Sequence, residues 1–339
     1  MFRDSQWVDQ KSKQKKTKRK HIDSTISDNS STNSKISQRS DNEMDTNSQE
    51  FYDPLPPSDS KELRNIEGGE YFLPSADKNI ERLQMQHFLF RCIWQSNYSA
   101  PVEEFFESSG AKVLDVQCGS GVWMSDLAIE FPNSTFVGVD DDADRARIEI
   151  QLPNAAFLHH NIKDGLPFPD DTFDFVHQRF FTSVSEVDWR KYMLLDMIRV
   201  LKPGGLIELM EMSPLDNVGH VTKKMFEAYD KFNLSKEIYQ LNPSGFQQAL
   251  KSTKLIKSIE SEYRITPLFG GRASQLVCQN IFKRFETKKK EFCEFLNLNE
   301  SELDENLEKM REEVITHNTF WFTEKRYELP SIYMIKIES

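Results

Sequence analysis

The sequence predicts an α/β protein whose core is a Rossmann-like, doubly wound, mostly parallel sheet. Between residues 111 and 212, short apolar runs of strand length alternate with segments that have a helical apolar period. This alternation is typical of βαβ units, in which right-handed crossovers join parallel strands. A glycine-containing turn directly after the first predicted strand also favours this class.

The core elements are predicted in the order that such a sheet requires. Lys202-Pro203-Gly204-Gly205 is expected to end a helix, because proline and glycine both disfavour its continuation. The pattern predicts strands at 112–116, 135–139, 156–158, 173–177 and 206–210, and helices at 79–95, 122–130 and 189–201.

The C-terminal part has a different pattern. Beyond Pro214 the sequence predicts helices at 221–239, 245–254 and, with breaks, 273–310, and strands at 259–265, 319–325 and 332–337. We interpret residues 213–339 as helical insertions around the last two or three strands, which are expected to complete the sheet. Residues 61–110 would form a helical lead-in, and residues 111–212 the core.

The N-terminal segment has a disordered composition. From Val8 to Gln49 it contains no aromatic residue, no glycine and no proline, and polar residues dominate. Such a chain buries too little apolar surface to offset its ordering entropy, so residues 1–60 are predicted to be a disordered tail. The basic run 11–20 has two interpretations. It is a nuclear import signal or a tail that binds an anionic partner, or it is a solvated charged tail with no targeting function. The predicted location is therefore cytoplasmic or nuclear.

Charge and cysteine content exclude several classes of protein. The net charge is −11, and residues 1–50 carry +2, so the remainder carries −13. Nucleic acid is not an expected partner, because phosphate binding needs clustered cations. No apolar run is long enough to span a membrane as a helix. The four cysteines form no C-x-x-C pair, which argues against disulfides and a zinc site, and no metal is predicted.

The first predicted strand leads into a turn suited to a nucleoside ligand. The strand ends at Asp115, and Gly119 and Gly121 open the next helix. Glycines allow close approach of the backbone to a ligand that faces the helix N-terminus. Asp140 ends the second strand twenty-one residues after Gly119, where a carboxylate can accept hydrogen bonds from both ribose hydroxyls.

Two observations distinguish between nucleoside cofactors. A dinucleotide fingerprint needs a third glycine three residues after Gly121, but Met124 stands there. In addition, Asp115 would lie close to a pyrophosphate, which is electrostatically unfavourable, whereas a carboxylate suits an amino-acid ammonium group. The pattern therefore favours S-adenosyl-L-methionine, and a nicotinamide oxidoreductase is the weakest alternative.

Residues 112–211 resemble the class I S-adenosylmethionine-dependent methyltransferases. The first family motif, acid-x-Gly-x-Gly-x-Gly, is matched by Asp115, Gln117, Gly119 and Gly121. Residues 136–140, 154–161, 166–174 and 199–205 resemble the later motifs. Upstream, residues 71–77 and the spacing of Arg82 and His87 resemble a fungal-type subgroup, some of whose members are nuclear regulators of metabolism.

The resemblance implies specific cofactor contacts. Asp115 would orient the methionine ammonium, and the two glycines would pass beneath the methionine and ribose. The remaining implied contacts are Asp140 with the ribose hydroxyls, Asp141 beside it, Asn161 with the adenine amino group and the Ile162 N–H with an adenine ring nitrogen.

Two departures from the family pattern leave two functions open. Gln117 replaces the first glycine, and Asn161 stands where the family usually has aspartate. The first hypothesis is methyl transfer to an unidentified small-molecule or protein acceptor. The second is a non-catalytic, methyltransferase-like regulator or partner-binding protein.

Further side chains have both a functional and a structural interpretation. His177 is a candidate base or substrate-orienting group, or a packed and hydrogen-bonded histidine. Arg82, with His87, would close over the cofactor carboxylate, or is a surface charge. Aromatic residues that would line an acceptor pocket, or belong to the core, are Phe180, Phe181, Trp189, Phe226, Tyr229, Phe232 and Tyr239.

Overall fold

The computed structural model describes residues 78–108, 110–141, 152–239, 241, 246–262, 264–321 and 331–336. The predicted tail of residues 1–60, its basic run and the motif at 71–77 lie outside these ranges. Within them, no helix is long and apolar enough to cross a membrane.

A seven-stranded sheet forms the centre of the fold, as the sequence predicts. Its strand order is β3-β2-β1-β4-β5-β10-β7, with the first five strands parallel and β10 antiparallel to both of its neighbours. The strands are β1 (Lys112–Val116), β2 (Thr135–Asp140), β3 (Ala155–His159), β4 (Phe173–Arg179), β5 (Leu201–Met210), β7 (Ile256–Glu262) and β10 (Ser331–Lys336).

Two predicted helices before and within the core are confirmed. The described helices of this part are α1 (Lys78–Trp94), α2 (Glu103–Ser108), α3 (Val122–Glu130) and α4 (Leu194–Val200). The helix predicted at 189–201 is less regular than expected, because a turn at Glu186–Asp188 and a π-helical segment at Trp189–Met193 precede α4.

The fifth strand begins five residues earlier than predicted. Phe173 pairs with Leu201, but Phe175 pairs with Leu206, so residues 202–205 bulge out between two paired positions. Gly205 is needed there, because a Cβ atom would lie 2.9 Å from the Lys202 carbonyl oxygen. The Pro-Gly-Gly sequence therefore marks a bulge inside β5 and not a loop before it.

The C-terminal part adds helices and a second, smaller sheet. Of the last three predicted strands, the first and the third join the main sheet as β7 and β10, whereas the described part of 319–325 does not. Phe320 and Trp321 pair instead with two other short strands, and residues 322–325 lie outside the described ranges. The elements are β6 (Leu215–Asp216), α5 (His220–Ser235), α6 (Phe246–Thr253), β8 (Thr266–Pro267), α7 (Arg272–Thr287), α8 (Lys289–Leu296), α9 (Glu300–Thr316) and β9 (Phe320–Trp321).

Both faces of the main sheet are buried. Val113 packs with Trp123 and Phe136 on one face, while its neighbour Leu114 packs with Val176 on the other. Successive strand residues point to opposite faces, so strands covered on both sides are apolar at nearly every position. Because both faces are covered, polar side chains of the strands can lie together only at the edge of the sheet where the strands end.

Candidate functional site

A cleft opens at the carboxyl edge of the sheet between β1 and β4. The strand order reverses its direction there, and ligands of open α/β sheets bind at such switch points. The cleft measures about 80 Å³. Its walls come from α1, from the turn after β1 and from the end of β4: Leu83, Gln86, His87, Asp115, Gln117, Cys118, Gly119, Ser120, Val122, Arg179, Phe180 and Thr182.

Asp115, the last residue but one of β1, lies in this cleft and is held by a histidine. The His177 Nδ1 atom lies 2.8 Å from the Asp115 Oδ1 atom. The His177 ring stacks on Trp123, with the ring centroids 3.6 Å apart and the planes 5° from parallel. Because an ionised carboxylate only accepts hydrogen bonds, Nδ1 is the donor. The carboxylate therefore has a fixed orientation.

The turn after β1 contacts the carboxylate that ends β2. The Gly119 N–H donates to Asp140 Oδ2 at 2.8 Å. Gly119 and Gly121 have φ values of 58° and 70°, a region that glycine adopts without strain. A Cβ atom on Gly119 would have no atom within 4 Å, so the backbone there is open to a ligand.

Gln117 turns its side chain toward the segment after β4. Its Nε2 donates to Thr182 Oγ1 and Ser183 Oγ, and its Oε1 accepts from the Thr182 N–H at 2.7 Å. Ser183 Oγ in turn donates to Asp141 Oδ2 at 3.1 Å. The amide is therefore not between Gly119 and Asp140, but forms a bridge, Gln117–Ser183–Asp141, across the carboxyl edge.

Residues 113–205 match a family model described as a methyltransferase domain. The matched segment contains β1, the glycine turn, β2, β3 and β4, and so most of the cleft. This segment therefore has the sequence pattern of a methyltransferase domain.

The methyltransferase domain is similar to parts of curated proteins. The N-methyltransferase verN of Clonostachys rogersoniana is 30% identical over 159 residues, which cover 46% of this chain and 55% of that protein. The secondary metabolism regulator laeA of Coprinopsis cinerea is 30% identical over 157 residues, which cover 43% and 37%. The chain thus spans about half or less of these relatives. The solved YcgJ protein of Bacillus subtilis is 20% identical, with a TM-score of 0.41, over 68% of this chain and 94% of that chain.

The residues expected at the adenine lie beyond the end of β3 in the methyltransferase domain. Asn161 Oδ1 accepts from the Lys163 N–H at 3.1 Å and caps the 3-10 turn Ile162–Asp164. Ile162 and Ser183 border a second cavity of about 680 Å³. Gln117 lines the cleft and Ser183 lines this cavity, so the bridge between them lies at the boundary of the two spaces.

His177 and Arg82 lie elsewhere than the functional interpretation expects. His177 is 1% exposed and does not line the cleft that holds Asp115. This position corresponds to the interpretation of His177 as a packed, hydrogen-bonded side chain. A catalytic contact of His177 stays a prediction. The Arg82 guanidinium donates to Asn79 Oδ1 and, at 2.9 Å, to Gln86 Oε1, and Arg82 does not line the cleft. Its predicted role at the cofactor carboxylate would have to act through Gln86.

Sequence reasoning missed Arg179, which lines the cleft of the methyltransferase domain. Its Nη2 lies 3.0 Å from His87 Nδ1. Since a guanidinium only donates, Nδ1 accepts, and His87 Nε2–H donates to Asp126 Oδ2 at 3.1 Å. Burial lowers the pKa of Arg179 to about 10 and that of His87 to about 4, so the arginine is charged and the histidine neutral. Strand periodicity could have indicated Arg179, because it lies two residues after His177 on the same face.

The aromatic residues have mixed roles. Phe226 and Tyr229 line a third cavity of about 390 Å³ next to the segment that follows β5. Phe180 lines the cleft and Tyr239 the 680 Å³ cavity. The core interpretation holds for Phe181, Trp189 and Phe232.

The described part of the chain offers no metal site and no reactive thiol in the cleft. No group of three or more His, Cys, Asp or Glu side chains within it is arranged to hold a metal ion. Burial raises the pKa of the Cys118 thiol well above its usual value, and the nearby Asp115 and Asp140 raise it further. Cys118 is therefore a protonated thiol at neutral pH.

Proposed function

We propose that the protein transfers a methyl group from S-adenosyl-L-methionine to an acceptor. The observation that carries this proposal is the 2.8 Å contact between the Gly119 N–H and Asp140 Oδ2 beside Asp115. It brings the turn after β1 and the carboxylate of β2 together at the switch point, where one adenosyl group can touch both. The match of residues 113–205 to a methyltransferase domain supports the same function.

The residues present fit the cofactor chemically. Bound S-adenosyl-L-methionine supplies an electrophilic methyl group. Asp115, oriented by His177, carries the charge that an ammonium group needs. Asp140 and Asp141 would take the ribose hydroxyls, while Asn161 and the Ile162 N–H would take the adenine. Asp140 already accepts from Gly119, and a carboxylate has lone pairs for further donors.

We propose a small-molecule acceptor that enters the 390 Å³ cavity. This volume is within the range of about 300–1,000 Å³ that is usual for small-ligand sites. A backbone hydrogen bond links the two spaces: the N–H of Phe180, which lines the cleft, donates to the Met210 carbonyl oxygen at 2.9 Å. Ser213, three residues after Met210, lines the cavity. Burial raises the pKa of Asp230, which lines it, and a more basic carboxylate is a better acceptor for the proton that O- or N-methylation releases. A protein acceptor is the alternative.

Titration calorimetry of the full chain with S-adenosylhomocysteine tests the cofactor. Asp140→Ala should weaken binding by about tenfold or more, because charge-assisted hydrogen bonds are lost. Glu300→Ala, on the exposed surface of α9, is the control and should not change the affinity. No saturable binding at millimolar ligand would refute the proposal.

A second candidate is a partner-binding regulator that keeps the fold without turnover. Gln117 favours it, because its φ of 58° is strained for a residue with a side chain. Formation of S-adenosylhomocysteine from S-adenosyl-L-methionine across a panel of hydroxyl, amine and activated-carbon acceptors separates the two. Turnover with any of them excludes a purely non-catalytic role.

We further propose that the protein acts in the cytoplasm or the nucleus, with the basic run 11–20 as the determinant. The support is the density of lysine and arginine there. A fluorescent fusion with and without alanine replacement of this run tests it. An unchanged subcellular distribution of the fusion would mean that the run is a solvated tail with no targeting function.

A further inference from the structure

A small cavity lies between the C-terminal end of α1, the segment that follows it and the strands β4 and β5. Trp94 lines it from α1, Asn97 from the next segment, His177 from β4 and Glu208 from β5. Its volume is about 10 Å³. A polar cavity holds a water molecule from a volume of about 10–15 Å³ upwards. The size of this cavity therefore suits one water molecule and excludes a larger ligand.

Two residues in its walls each have a buried polar atom that calls for a partner. Trp94 Nε1 and Asn97 Oδ1 are both buried, and within the described part of the chain neither has a hydrogen-bond partner. The Trp94 side chain as a whole is 8% exposed. An indole N–H only donates, and an amide oxygen only accepts. Because unpaired buried polar groups are costly and rare, both atoms indicate a ligand that accepts and donates hydrogen bonds.

The other polar atoms of Asn97 fix its side chain at the cavity. Its Nδ2 donates to Asp126 Oδ2 at 3.1 Å, and its carbonyl oxygen accepts from Trp123 Nε1 at 2.6 Å. Since a carboxylate needs a donor, the bond to Asp126 assigns Nδ2 to that side and leaves Oδ1 as the atom without a partner. The cavity thus has a donor from Trp94 and an acceptor from Asn97.

Glu208 adds a third polar group, from the sheet. It is 2% exposed, and its Oε2 accepts from the N–H groups of Ser99 and Ala100, both at 2.7 Å. Its other carboxyl oxygen has lone pairs for a further donor. The strand pairing sets Glu208 opposite His177, which lines the same cavity. Glu208 therefore holds the segment after α1 against β5 directly at the cavity.

We propose that this cavity binds one water molecule, which accepts from Trp94 Nε1 and donates to Asn97 Oδ1 and to a carboxyl oxygen of Glu208. A water molecule pairs a donor and an acceptor that do not bond each other directly, and about three partners are usual for a buried one. It joins the end of α1 to β5 beside His177, the residue that orients Asp115. The site does not depend on the proposed function, because none of its three partners lines the cleft.

The indole N–H signals of the full chain test the site directly. The sequence contains five tryptophans, and isotope labelling of the indole nitrogen with the variant Trp94→Phe identifies the signal of Trp94. We expect a cross-peak between water and the Trp94 indole proton with opposite signs in laboratory-frame and rotating-frame Overhauser spectra. A bound water gives this pattern, whereas chemical exchange gives the same sign in both spectra.

Trp189 is the matched control for this measurement. Its side chain is 0% exposed, and its Nε1 already donates to Gln178 Oε1 at 2.9 Å. Its indole proton should therefore show no cross-peak with water. A difference between the two tryptophans cannot come from burial alone, because both side chains are buried.

Two variants exclude other sources of the signal. Hydroxyl groups of Ser96, Tyr98 and Ser99 belong to residues that line the cavity, and hydroxyl protons that exchange with solvent imitate water. The cross-peak should persist in the combined variant Ser96→Ala, Tyr98→Phe and Ser99→Ala. In Asn97→Leu it should be lost, because the water loses an acceptor, while Asp126 keeps its two other donors.

A high-resolution crystal structure of the full chain is a second measurement that needs no variant. We expect one peak of electron density within hydrogen-bond distance of both Trp94 Nε1 and Asn97 Oδ1. The proposal is overturned if no density lies there, if Trp94 and Trp189 give equal cross-peaks or none, or if the cross-peak disappears with the hydroxyl groups. Its persistence in Asn97→Leu overturns the proposed bridge as well.

Discussion

His177 Nδ1 lies 2.8 Å from Asp115 Oδ1 and fixes the carboxylate at the end of β1. His177 is therefore a positioning residue for the cofactor ammonium in the proposed function. Asparagine can place a donor close to the position of Nδ1, whereas leucine cannot. This difference allows its orienting role to be measured apart from any proton transfer.

We expect His177→Leu to weaken S-adenosylhomocysteine binding by about tenfold and His177→Asn by less than about threefold. The reason is that a hydrogen bond to a charged group contributes about 1.5–3 kcal/mol. Calorimetry of both variants checks this. If instead His177→Asn abolished turnover and left the affinity unchanged, His177 would be the base.

Gln117→Gly tests whether the departure from the family motif damages the cofactor site. Glycine removes a strained φ of 58°, but it also removes the hydrogen bonds of the amide with Thr182 and Ser183. Because the hydrogen bond to Ser183 would also have to break when the ligand enters, we expect the affinity for S-adenosylhomocysteine to rise by about threefold. A gain of tenfold or more in calorimetry would indicate a decayed site and favour the regulator.

The sheet was predictable because its strands are buried on both faces and read as apolar runs between turns. The helix at Val122–Glu130 matched its prediction, since glycine precedes it and proline follows close after. The bulge at 202–205 was not predictable, because the same Pro-Gly-Gly sequence suits a loop equally well.

The residue types of the candidate site were predictable, but their partners were not. Whether His177 faces a substrate or Asp115 depends on the stacking of its ring on Trp123, fifty-four positions away in the sequence. The sequence indicates Arg82 on α1, whereas the arginine that lines the cleft is Arg179 on β4. Only the packing of α1 against the end of β4 brings His87 to Arg179. Such tertiary hydrogen bonds leave no periodic signal in the sequence.

His87 makes stability depend on pH. Burial lowers its pKa from 6.5 to about 4, so between these values the unfolded chain binds a proton that the folded chain does not. The free energy of unfolding should therefore fall as the pH falls, by about 2 kcal/mol between pH 7 and pH 5 from this group. Urea unfolding of the full chain at both pH values measures it.

The matched variant for this prediction is His87→Gln. Glutamine can accept from Arg179 and donate to Asp126 as the imidazole does, but it does not titrate. The variant should lose less stability than the unchanged protein between the two pH values. An identical loss in both would show that His87 does not contribute.

Two helix-capping glycines form a matched pair for stability. Gly219 and Gly271 begin α5 and α7 with nearly equal φ values of −69° and −64°. A Cβ atom on Gly219 would lie 2.2 Å from Glu313 Cδ, whereas one on Gly271 would have no atom within 4 Å. Glu313 accepts from the N–H groups of Val221 and Thr222 at the start of α5.

We expect Gly219→Ala to lower the free energy of unfolding by about 1–3 kcal/mol more than Gly271→Ala. The reason is that a displaced Glu313 leaves backbone donors without partners, while the loss of a glycine cap is common to both variants. Chemical denaturation of the two variants measures the difference. Equal effects would mean that Glu313 moves aside without cost.

The bridge Gln117–Ser183–Asp141 lies at the boundary between the cleft that holds Asp115 and the cavity that Ile162 borders, and the proposed cofactor would occupy both. Ser183 accepts from Gln117 and donates to Asp141, and an adenosyl group that spans both spaces would break these two hydrogen bonds. We expect Ser183→Ala to bind S-adenosylhomocysteine about threefold to tenfold more tightly, because the cost of about 1 kcal/mol for breaking the bridge is absent in this variant. Ser185→Ala, whose hydroxyl bonds only Asp188 among the described residues, is the control and should bind as the unchanged protein does. Weaker binding by Ser183→Ala in calorimetry would show that the serine contacts the ligand and does not obstruct it.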